Sequence, residues 1–591
     1  MSDPRARTEH DPDRQGDPPP VVTRGELDLL VRLAGPADVH HLVVICDDRP
    51  VVLGRRIRDR YPDAALTVLS EGRRPDVRDL TFGLLRFDDD HDVLRALAGL
   101  PAADLVLDLR RNRPAEVRGT FRQAFLALAD GGRYVARQEP DLRPADGDLV
   151  DEVRELARRR SLRPPERRRL STALELGLGG ALDDVRIDGP FVVLRKSGEH
   201  VLKLDVEGTR TALAARGVEP RVIARVPPGS HTSASTLWSS DAELGAARLP
   251  RTVEVGELTC AAYDDVLVAP QHVAVVERML LPTCYFLPWQ AARKTFGMRY
   301  HGADFSALRD ADAVPEHLPG TYYHLDNQVP GHYGHVITHD LSKLWAWDAA
   351  LAEYPDLRVL VSPDTETGEV PAYTYELLAA YGIGRERVHV LTGPARVERL
   401  VTATQAFQQP RFLAPVAREV WARVVAGLLP RAGHEPLPER VFVSRRSAAR
   451  RRCLNAEEVE RRFVAAGFTV VYPEDLALPD QVRLFSTVPV VAGYAGSGLI
   501  NTVFSSGPAT RVVLASKSYW ATNEYHIAAL YGGDLHYFWC DPVPSEGPDF
   551  HADHLFDTDR DGPALDALLR SLAPQAPLAA GRPRLGRSAV R

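Results

Sequence analysis

The sequence predicts an α/β protein in which successive regions place short apolar strands between helices. The chain has 591 residues, of which 44% are hydrophobic and 26% charged, so it is long enough to bury several cores. Its apolar runs alternate with helical patterns, which indicates parallel sheets covered on both faces. Proline-rich stretches at 206–235 and near residue 436 separate the regions.

Both ends of the chain differ from its interior. Residues 1–22 and 572–591 are rich in Pro, Arg and Asp or poor in large apolar side chains, and both ranges are predicted to be disordered tails. The first range has no apolar core, so no signal peptide is expected. No apolar stretch approaches the roughly 20 residues that span a bilayer. A cytoplasmic location is predicted, with peripheral contact at the inner face of the membrane left open.

Charge and cysteine content exclude some classes of protein. The net charge is −7 and the pI about 6.3, which argues against a general nucleic-acid binder. The cysteines are odd in number and never in CxxC spacing, so neither a disulfide framework nor a structural zinc site is expected. The abundance of Arg, Ala and Asp is typical of a high-GC bacterial genome.

Residues 23–205 are predicted to form a Rossmann-like α/β domain. Its strands are expected at 41–45, 65–69, 104–109 and around 133–135. A closing hairpin is predicted from Phe191–Arg195 and Val201–Leu204, joined through Ser197-Gly198.

This layout, with the segment Leu128–Val135, resembles a class I S-adenosylmethionine-dependent methyltransferase. The glycine-rich turn of that family is missing after the first strand, where the chain runs from Cys46 to Gly54. Glycines let the backbone approach a cofactor closely, so S-adenosylmethionine is not expected to bind here. Glu71, at the end of the second strand, is either a ribose ligand or a solvated loop carboxylate.

The remainder of the chain is predicted to contain two more α/β regions. Residues 206–235 are assigned as a linker because of Pro220, Pro227 and Pro228. In residues 236–435, strands are expected at 358–362 and 388–391, with a helix at 371–380 between them. In residues 436–571, strands are expected at 440–444, 468–472, 488–492 and 511–514, with helices starting at Asn455 and Asp480.

The segment Ala492–Asn501, called the glycine turn here, follows an apolar strand and precedes a short predicted helix. Backbone N–H groups at a helix start are unpaired and carry partial positive charge. Gly496, Ser497 and Gly498 leave those groups uncovered, which favours contact with the diphosphate of a nucleotide. The alternative is a tight strand-to-helix turn that binds nothing.

The order of polar residues around the glycine turn resembles the family 61 glycosyltransferases. The residues that carry the resemblance are Val443-Ser444-Arg445, Asn455, Glu457-Glu458, Gly467-Phe468, Pro473-Glu474, Gln481, the glycine turn and Asn501. The resemblance implies a GT-B-type pair of lobes, with the acceptor lobe at 236–435 and the donor lobe at 436–571. It also implies a nucleotide-sugar donor, most often a UDP-sugar, inversion at the anomeric carbon, and neither an essential metal nor a cofactor. Many members of the family have histidine at the position of Ala495, and Ser497 offers a replacement hydroxyl here.

Individual roles follow for the predicted donor-binding residues. Ser444 and Arg445 end a strand, and the Arg445 guanidinium suits a diphosphate. Glu474 and Gln481 are candidates for contacts to the base or ribose, although Glu474 also suits the start of a helix. Asn501 is a poor helix former that suits a bond either to the turn backbone or to the donor. The stretch Asn523–His526 follows the last strand and either closes the donor site or packs between the lobes.

A second constellation, Gly331–Trp345, resembles the aromatic-rich motif of the family's first lobe. His335 and Asp340 match that motif, and Val336, Ser342 and Lys343 depart from it. Inverting transfer needs a base for the acceptor hydroxyl, and His335 and Asp340 are the candidates. The alternative for His335 is a hydrogen-bonded packing role. His335 and His339 are four residues apart, but no third ligand is evident, so no metal site is predicted.

These patterns predict an inverting glycosyltransferase with a nucleotide-sugar donor and a glycan or polysaccharide acceptor. Two alternatives remain at this stage. One is a bifunctional enzyme that methylates a glycan as well as extending it. The other is a non-catalytic pseudo-glycosyltransferase that acts as a scaffold in polysaccharide assembly.

Overall fold

The computed structural model describes residues 22–35, 39–46, 49–71, 81–87, 90–110, 114–137, 148–446, 451–544 and 548–573. Most of both predicted tails lies outside these ranges. The chain divides into two compact units. The first comprises residues 1–219 and 273–314, and the second comprises residues 220–272 and 315–591.

The first unit contains the predicted Rossmann-like sheet. In spatial order its strands are Gly83–Phe87, Ala65–Glu71, His41–Cys46, Leu105–Asp108, Arg133–Arg137, Phe191–Lys196 and Leu182–Asp188. The first five pair in parallel and the last two antiparallel. The parallel part has the 3-2-1-4-5 order of the doubly wound fold, with its switch point between His41–Cys46 and Leu105–Asp108.

The predicted closing hairpin has the wrong partner. Phe191–Lys196 pairs with Leu182–Asp188, and the chain reverses at Gly189, which has a φ of 55°. Val201–Leu202 instead pairs with Phe305–Leu308 and Met279–Leu280. Five of the seven side chains of Leu182–Asp188 are exposed, Val185 and Ile187 among them, so no buried apolar run marks this segment as a strand.

Helices cover the sheet of the first unit, and a smaller group of strands accompanies it. The helices are Arg24–Ala34, Pro50–Arg58, Asp90–Ala98, Pro114–Ala124, Leu149–Arg160, Pro164–Leu170, Ala173–Ala181 and Val206–Ala215. The smaller group is Met298–Tyr300, Phe305–Leu308, Val201–Leu202, Met279–Leu280 and Val273–Val276. A reciprocal pair of hydrogen bonds between Thr23 and Glu26 begins the first helix.

The predicted linker at 206–235 is wrong, because this segment is built of regular elements. It contains the helix Val206–Ala215 and the strands Arg221–Val226 and Gly229–Thr232. Its prolines lie at the ends of these elements, where a missing backbone donor costs little. The predicted boundaries of 236–435 also change, since residues 273–314 belong to the first unit.

The second unit contains two larger sheets. One has the spatial order Arg221–Val226, Leu258–Ala269, Ala395–Ala403, Glu316–His324, Arg358–Val361 and Val388–Val390. The other, called the donor sheet here, has the order Thr469–Val471, Arg440–Val443, Val490–Tyr494, Thr510–Ser516, Gly533–Pro542 and Ser235–Ser239, all parallel. His554–Leu555 pairs antiparallel with Gly533–Pro542. Two small hairpin-like pairs are Gly229–Thr232 with Thr252–Val255, and Phe407–Gln408 with Phe412–Leu413.

Helices pack between and around these sheets. They are Ala242–Arg248, Tyr333–His335, Trp347–Glu353, Ala372–Tyr381, Ala417–Leu428, Ala456–Ala465, Leu478–Thr487, Ser497–Ile500, Asn523–Tyr531 and Gly562–Leu572. A π-helical turn at Val336–Asp340 and a 3-10 segment at Leu341–Ala346 join Tyr333–His335 to Trp347–Glu353. One continuous core is built from both sheets and includes the buried Trp347, Trp421 and Trp539.

Asn455 precedes the helix Ala456–Ala465, as predicted, but its side chain does not cap that helix. The Asn455 amide donates to Phe556 O and accepts from Phe556 N–H, so it ties the helix to a distant segment and does not cap it. Among the described residues, none of the helices combines the length and the apolar character needed to cross a membrane.

Candidate functional site

The glycine turn lies at the switch point of the donor sheet. Val490–Tyr494 lies between Arg440–Val443 and Thr510–Ser516. The strand order reverses between Arg440–Val443 and Val490–Tyr494. In open parallel sheets, ligands bind at the carboxyl ends of the strands at this point. A side chain at Gly493 would meet the Val443 backbone, so only glycine lets the two strand ends approach this closely. The glycine turn therefore lies at the place where such sheets bind ligands.

Two arginines converge on the glycine turn from the neighbouring strand end. The Arg445 guanidinium donates to Ala495 O and, over 3.3 Å, to Arg451 O. A Cβ atom on Gly496 would collide with the Arg445 guanidinium and lie 3.6 Å from Arg451 Nη2. Burial and the positive charge of Arg451 together lower the pKa of Arg445 to about 10. Arg445 is therefore still cationic at neutral pH.

The carboxylate of Glu524 occupies part of the turn. Its Oε1 accepts the Gly496 N–H over 2.7 Å, and its Oε2 is buried with no hydrogen-bond partner in the part of the chain that the structure describes. Burial raises the pKa of Glu524 to about 7, although the bonds from backbone N–H groups and the charges of Arg451 and Arg445 oppose that rise. The expectation of uncovered amides at the turn is therefore wrong for Gly496, whose N–H is already paired. Ser497 and Gly498 are partly exposed.

Gln481 and Asn501 connect the glycine turn to Tyr333. Tyr333 donates its hydroxyl to Asn501 Oδ1 over 2.6 Å, and Gln481 Nε2 donates to the same oxygen over 2.8 Å. Asn501 Nδ2 donates to Gly498 O over 3.0 Å. Gln481 and Asn501 are both buried, so they hold the turn rather than face a ribose. For Asn501 the structure agrees with the alternative of a bond to the turn backbone.

Ser444 and Glu474 follow the strands Arg440–Val443 and Thr469–Val471, and neither shares the contacts of the glycine turn. The buried Ser444 hydroxyl donates to Glu460 Oε1 over 2.5 Å, so its hydrogen points into the fold. Glu474 is exposed on the 3-10 turn Pro473–Asp475, at the carboxyl end of Thr469–Val471. Contact of Glu474 with a bound nucleotide stays a prediction.

The segment His332–Asp340 starts beside the glycine turn. A Cβ atom on Gly334 would lie 2.9 Å from Ser497 Oγ and 3.2 Å from His332 Cε1, so this glycine permits the close approach. His335 is partly exposed, and its Nδ1 is 3.2 Å from Nδ1 of His339. Burial and the neighbouring imidazoles lower the pKa of His335 well below its usual value, and burial lowers the pKa of His339 to about 3. Both rings are neutral at pH 7.

Asp340 lies in a different environment from His335. Its Oδ2 accepts from Asn327 Nδ2 over 2.7 Å, and its Oδ1 is buried without a partner. Asp340, Ser362 and Thr374 line a cavity of about 20 Å³. This volume is large enough for a water molecule but too small for a sugar ring. Burial raises the pKa of Asp340 to about 8. The two predicted catalytic residues thus do not converge, and His335 is the one beside the turn.

The comparison with protein families is specific to this region of the chain. The model of the family Glycosyltransferase 61 matches residues 281–513. That range holds His335, Arg445 and the glycine turn, and the match supports a glycosyltransferase activity. Among curated proteins, none matched the sequence.

Solved methyltransferase structures are similar to part of the chain. MycE methyltransferase from the mycinamycin biosynthetic pathway, in complex with Mg and SAH, is 15% identical over 29% of this chain, with a TM-score of 0.24. A putative caffeoyl-CoA O-methyltransferase from Staphylococcus aureus is 10% identical over 30% of this chain and 86% of its own, with a TM-score of 0.18. PhzM, a pyocyanin biosynthetic protein, is 17% identical over 29% of this chain and 54% of its own, with a TM-score of 0.19. The chain spans 49% of the length of MycE.

A buried ion pair lies at the carboxyl edge of the sheet in the first unit. At the carboxyl ends of Leu105–Asp108 and Ala65–Glu71, the Arg110 guanidinium bonds Asp108 over 2.7 Å and Thr120 over 2.6 Å, and lies 3.5 Å from Glu71. Arg110 is only 2% exposed. Glu71, predicted to be either a ribose ligand or a solvated carboxylate, is partly exposed and lies at the edge of this ion pair. Asp47 and Asp48 of the predicted cofactor loop lie outside the described residues.

Proposed function

We propose that the second unit is an inverting glycosyltransferase of the two-lobed GT-B type, which transfers sugar from a nucleotide-sugar donor to a glycan or polysaccharide hydroxyl. The observation that carries this proposal is the convergence of Arg445 and Arg451 at the switch-point turn. Two guanidiniums there face one carboxylate, Glu524, so positive charge is in excess. Paired guanidiniums suit a diphosphate, because each presents a planar fork of donors. A UDP-sugar is the first donor to test.

The same two arginines account for the leaving-group chemistry. When the bond between the anomeric carbon and the phosphate oxygen breaks, negative charge grows on the departing nucleoside diphosphate. Guanidiniums already held by the protein stabilise that charge without reorganising. Arg445 is held in this way by Ala495 O and Arg451 O. Mutual repulsion between the two cations is relieved by a bound anion, which favours the charged leaving group.

His335 is the proposed general base. An acceptor hydroxyl gives its proton to a neutral imidazole while its oxygen forms the new bond to the anomeric carbon from the face opposite the diphosphate. A neutral imidazole has one N–H, so His335 offers a free Nε2 only if its Nδ1 carries the hydrogen. We assign the hydrogen to His335 Nδ1, which then donates to His339 Nδ1, 3.2 Å away, and leaves His335 Nε2 free to accept a proton. After proton transfer, the same bond stabilises the imidazolium.

His339 is therefore a positioning residue for His335, and its replacement tests that role. His339→Phe removes the acceptor at Nδ1 and is expected to lower kcat roughly 10- to 100-fold with little change in the KM for the donor. His339→Gln restores an acceptor and is expected to recover part of the loss. A kcat for His339→Phe equal to that of the unchanged protein would assign the histidine pair to packing.

A screen of nucleotide sugars tests the function itself. Thermal shift with UDP-, GDP-, CMP- and dTDP-sugars is expected to identify one donor, and free nucleotide is expected to be released once a suitable acceptor is added. Ala495 favours the second candidate, a non-catalytic scaffold, because the resembling family often has histidine at that position. Nucleotide binding without turnover across a broad panel of acceptors would favour the scaffold. Failure of every nucleotide to bind would reject both.

The first unit is not expected to bind S-adenosylmethionine. Titration of S-adenosylmethionine into the full-length protein is expected to give no heat of binding, because the buried ion pair of Arg110 and Asp108 occupies the switch point. A parallel titration of a nucleotide sugar into the same preparation controls for folding. Micromolar binding of S-adenosylmethionine would instead favour the bifunctional enzyme that methylates a glycan.

A further inference from the structure

Glu524 is unusual among the residues around the glycine turn, because it is an anion at a place suited to another anion. It is 1% exposed, and it lies in the first turn of Asn523–Tyr531, the helix that follows the strand Thr510–Ser516. Its Oε1 takes the Gly496 N–H over 2.7 Å. Its Oε2 is buried and has no hydrogen-bond partner among the described residues. An orphan carboxylate oxygen inside a fold is costly, so its position calls for a physical explanation.

The groups that face Glu524 come from several elements. Arg445 follows the strand Arg440–Val443, and Arg451 lies on the loop beyond it; both favour the ionised carboxylate. Tyr519, after the strand Thr510–Ser516, and Tyr537, on Gly533–Pro542, are neutral neighbours, since burial holds the pKa of each phenol above its usual value. Two cations and one titratable acid therefore share this site.

A diphosphate at the two arginines would bring further negative charge close to the buried carboxylate. Like charges in a poorly solvated site disfavour each other's ionised forms, so one of the two anions must be neutralised or leave. The carboxyl group is the one that can accept a proton near neutral pH. Protonation at the orphan Oε2 keeps the bond from Gly496 N–H to Oε1 and creates an O–H that can donate to a phosphate oxygen.

We propose that Glu524 takes up one proton when a nucleoside diphosphate binds at Arg445 and Arg451, so that donor binding is linked to pH. The inference rests on the proposed function of this site. The ionised carboxylate of Glu524 lowers the affinity for the donor, and the protonated carboxyl group donates a hydrogen bond to it. The proton is returned to solvent when the nucleotide leaves.

Calorimetric titration of UDP into the full-length protein between pH 7 and 9 tests this proposal. UDP is about 90% ionised at pH 7 and almost fully ionised from pH 8 upward, because the terminal phosphate titrates near pH 6. The affinity of the unchanged protein is expected to fall by up to about tenfold per pH unit above pH 7. The binding heat is expected to differ between phosphate and Tris buffers, whose ionisation enthalpies differ, by the amount that corresponds to uptake of up to one proton.

Glu524→Gln is the matched variant, since its amide oxygen still accepts from Gly496 N–H. Its affinity for UDP is expected to be the same at pH 7 and pH 9, and its binding heat to be independent of buffer. Glu457→Gln, at an exposed acid of the same lobe, controls for surface charge and is expected to keep the pH dependence of the unchanged protein.

The outcomes separate this inference from the proposed function. Tight UDP binding by the unchanged protein with no pH dependence and no buffer dependence would overturn the role of Glu524 and leave the donor site intact. The absence of UDP binding at any pH would overturn the donor site, and the role of Glu524 with it. The buffer dependence is measured on the unchanged protein, so the test holds even if Glu524→Gln does not fold.

Discussion

His335→Ala is expected to lower kcat for sugar transfer roughly 10²- to 10⁴-fold, the range over which a positioned general base acts. The KM for the donor is expected to change little, because His335 contacts His339 rather than the arginines of the glycine turn. Transfer of labelled sugar from the donor to an acceptor measures the effect. His434→Ala, at an exposed histidine of the same unit, is the matched control and is expected to keep full activity.

The pH dependence of the reaction provides a second test of His335. The pKa of His335 lies well below its usual value of 6.5, so the imidazole is neutral at pH 6.5 and above. Protonation of His335 is therefore expected to leave kcat unchanged between pH 6.5 and 8. It lowers kcat only when the pH falls through the depressed pKa. An acid limb near pH 8 would instead indicate Asp340, whose pKa is raised to about 8. Transfer by His335→Ala at near-normal rates would also exclude His335 as the base.

Arg445→Ala is expected to weaken UDP binding roughly 10- to 150-fold, because it removes a charge-assisted contact worth about 1.5–3 kcal/mol. The Arg445 guanidinium bonds the backbone oxygens of Ala495 and Arg451 and is not a solvated surface group. Arg446→Ala is the matched control, since the neighbouring arginine is exposed and paired with Asp475. Calorimetry with UDP measures both variants. Equal affinity of the two variants would place the donor elsewhere.

Gly496→Val examines the same site through the backbone. Gly496 has a φ of 140°, which side chains rarely permit, and any Cβ there collides with the Arg445 guanidinium. The variant is therefore expected to displace Arg445 and lose UDP affinity to a similar extent. Circular dichroism and a thermal melt distinguish this local effect from unfolding. A folded Gly496→Val protein that binds UDP normally would be inconsistent with the assigned contact.

Local patterns in the sequence identified the main strands and the position of the glycine turn. Apolar runs such as Arg440–Val443 and Val490–Tyr494 are recognisable because buried parallel strands are apolar on both faces. The glycine turn is recognisable because a close approach of two strand ends excludes side chains. The hairpin partner of Phe191–Lys196 was not recognisable, since its outer face is charged and resembles a loop.

The sequence by itself determined the α/β class, the strand that leads into the glycine turn and the residue types suited to an anion and a base. Only the tertiary structure decided that Glu524 takes the Gly496 amide, that Gln481 and Asn501 hold the turn, and that His335 rather than Asp340 lies beside it. The physical reason is distance along the chain. Burial and hydrophobic periodicity can be recognised from residues that are neighbours in the sequence. These contacts instead join segments from 20 to 168 residues apart, and their approach depends on how the sheets pack.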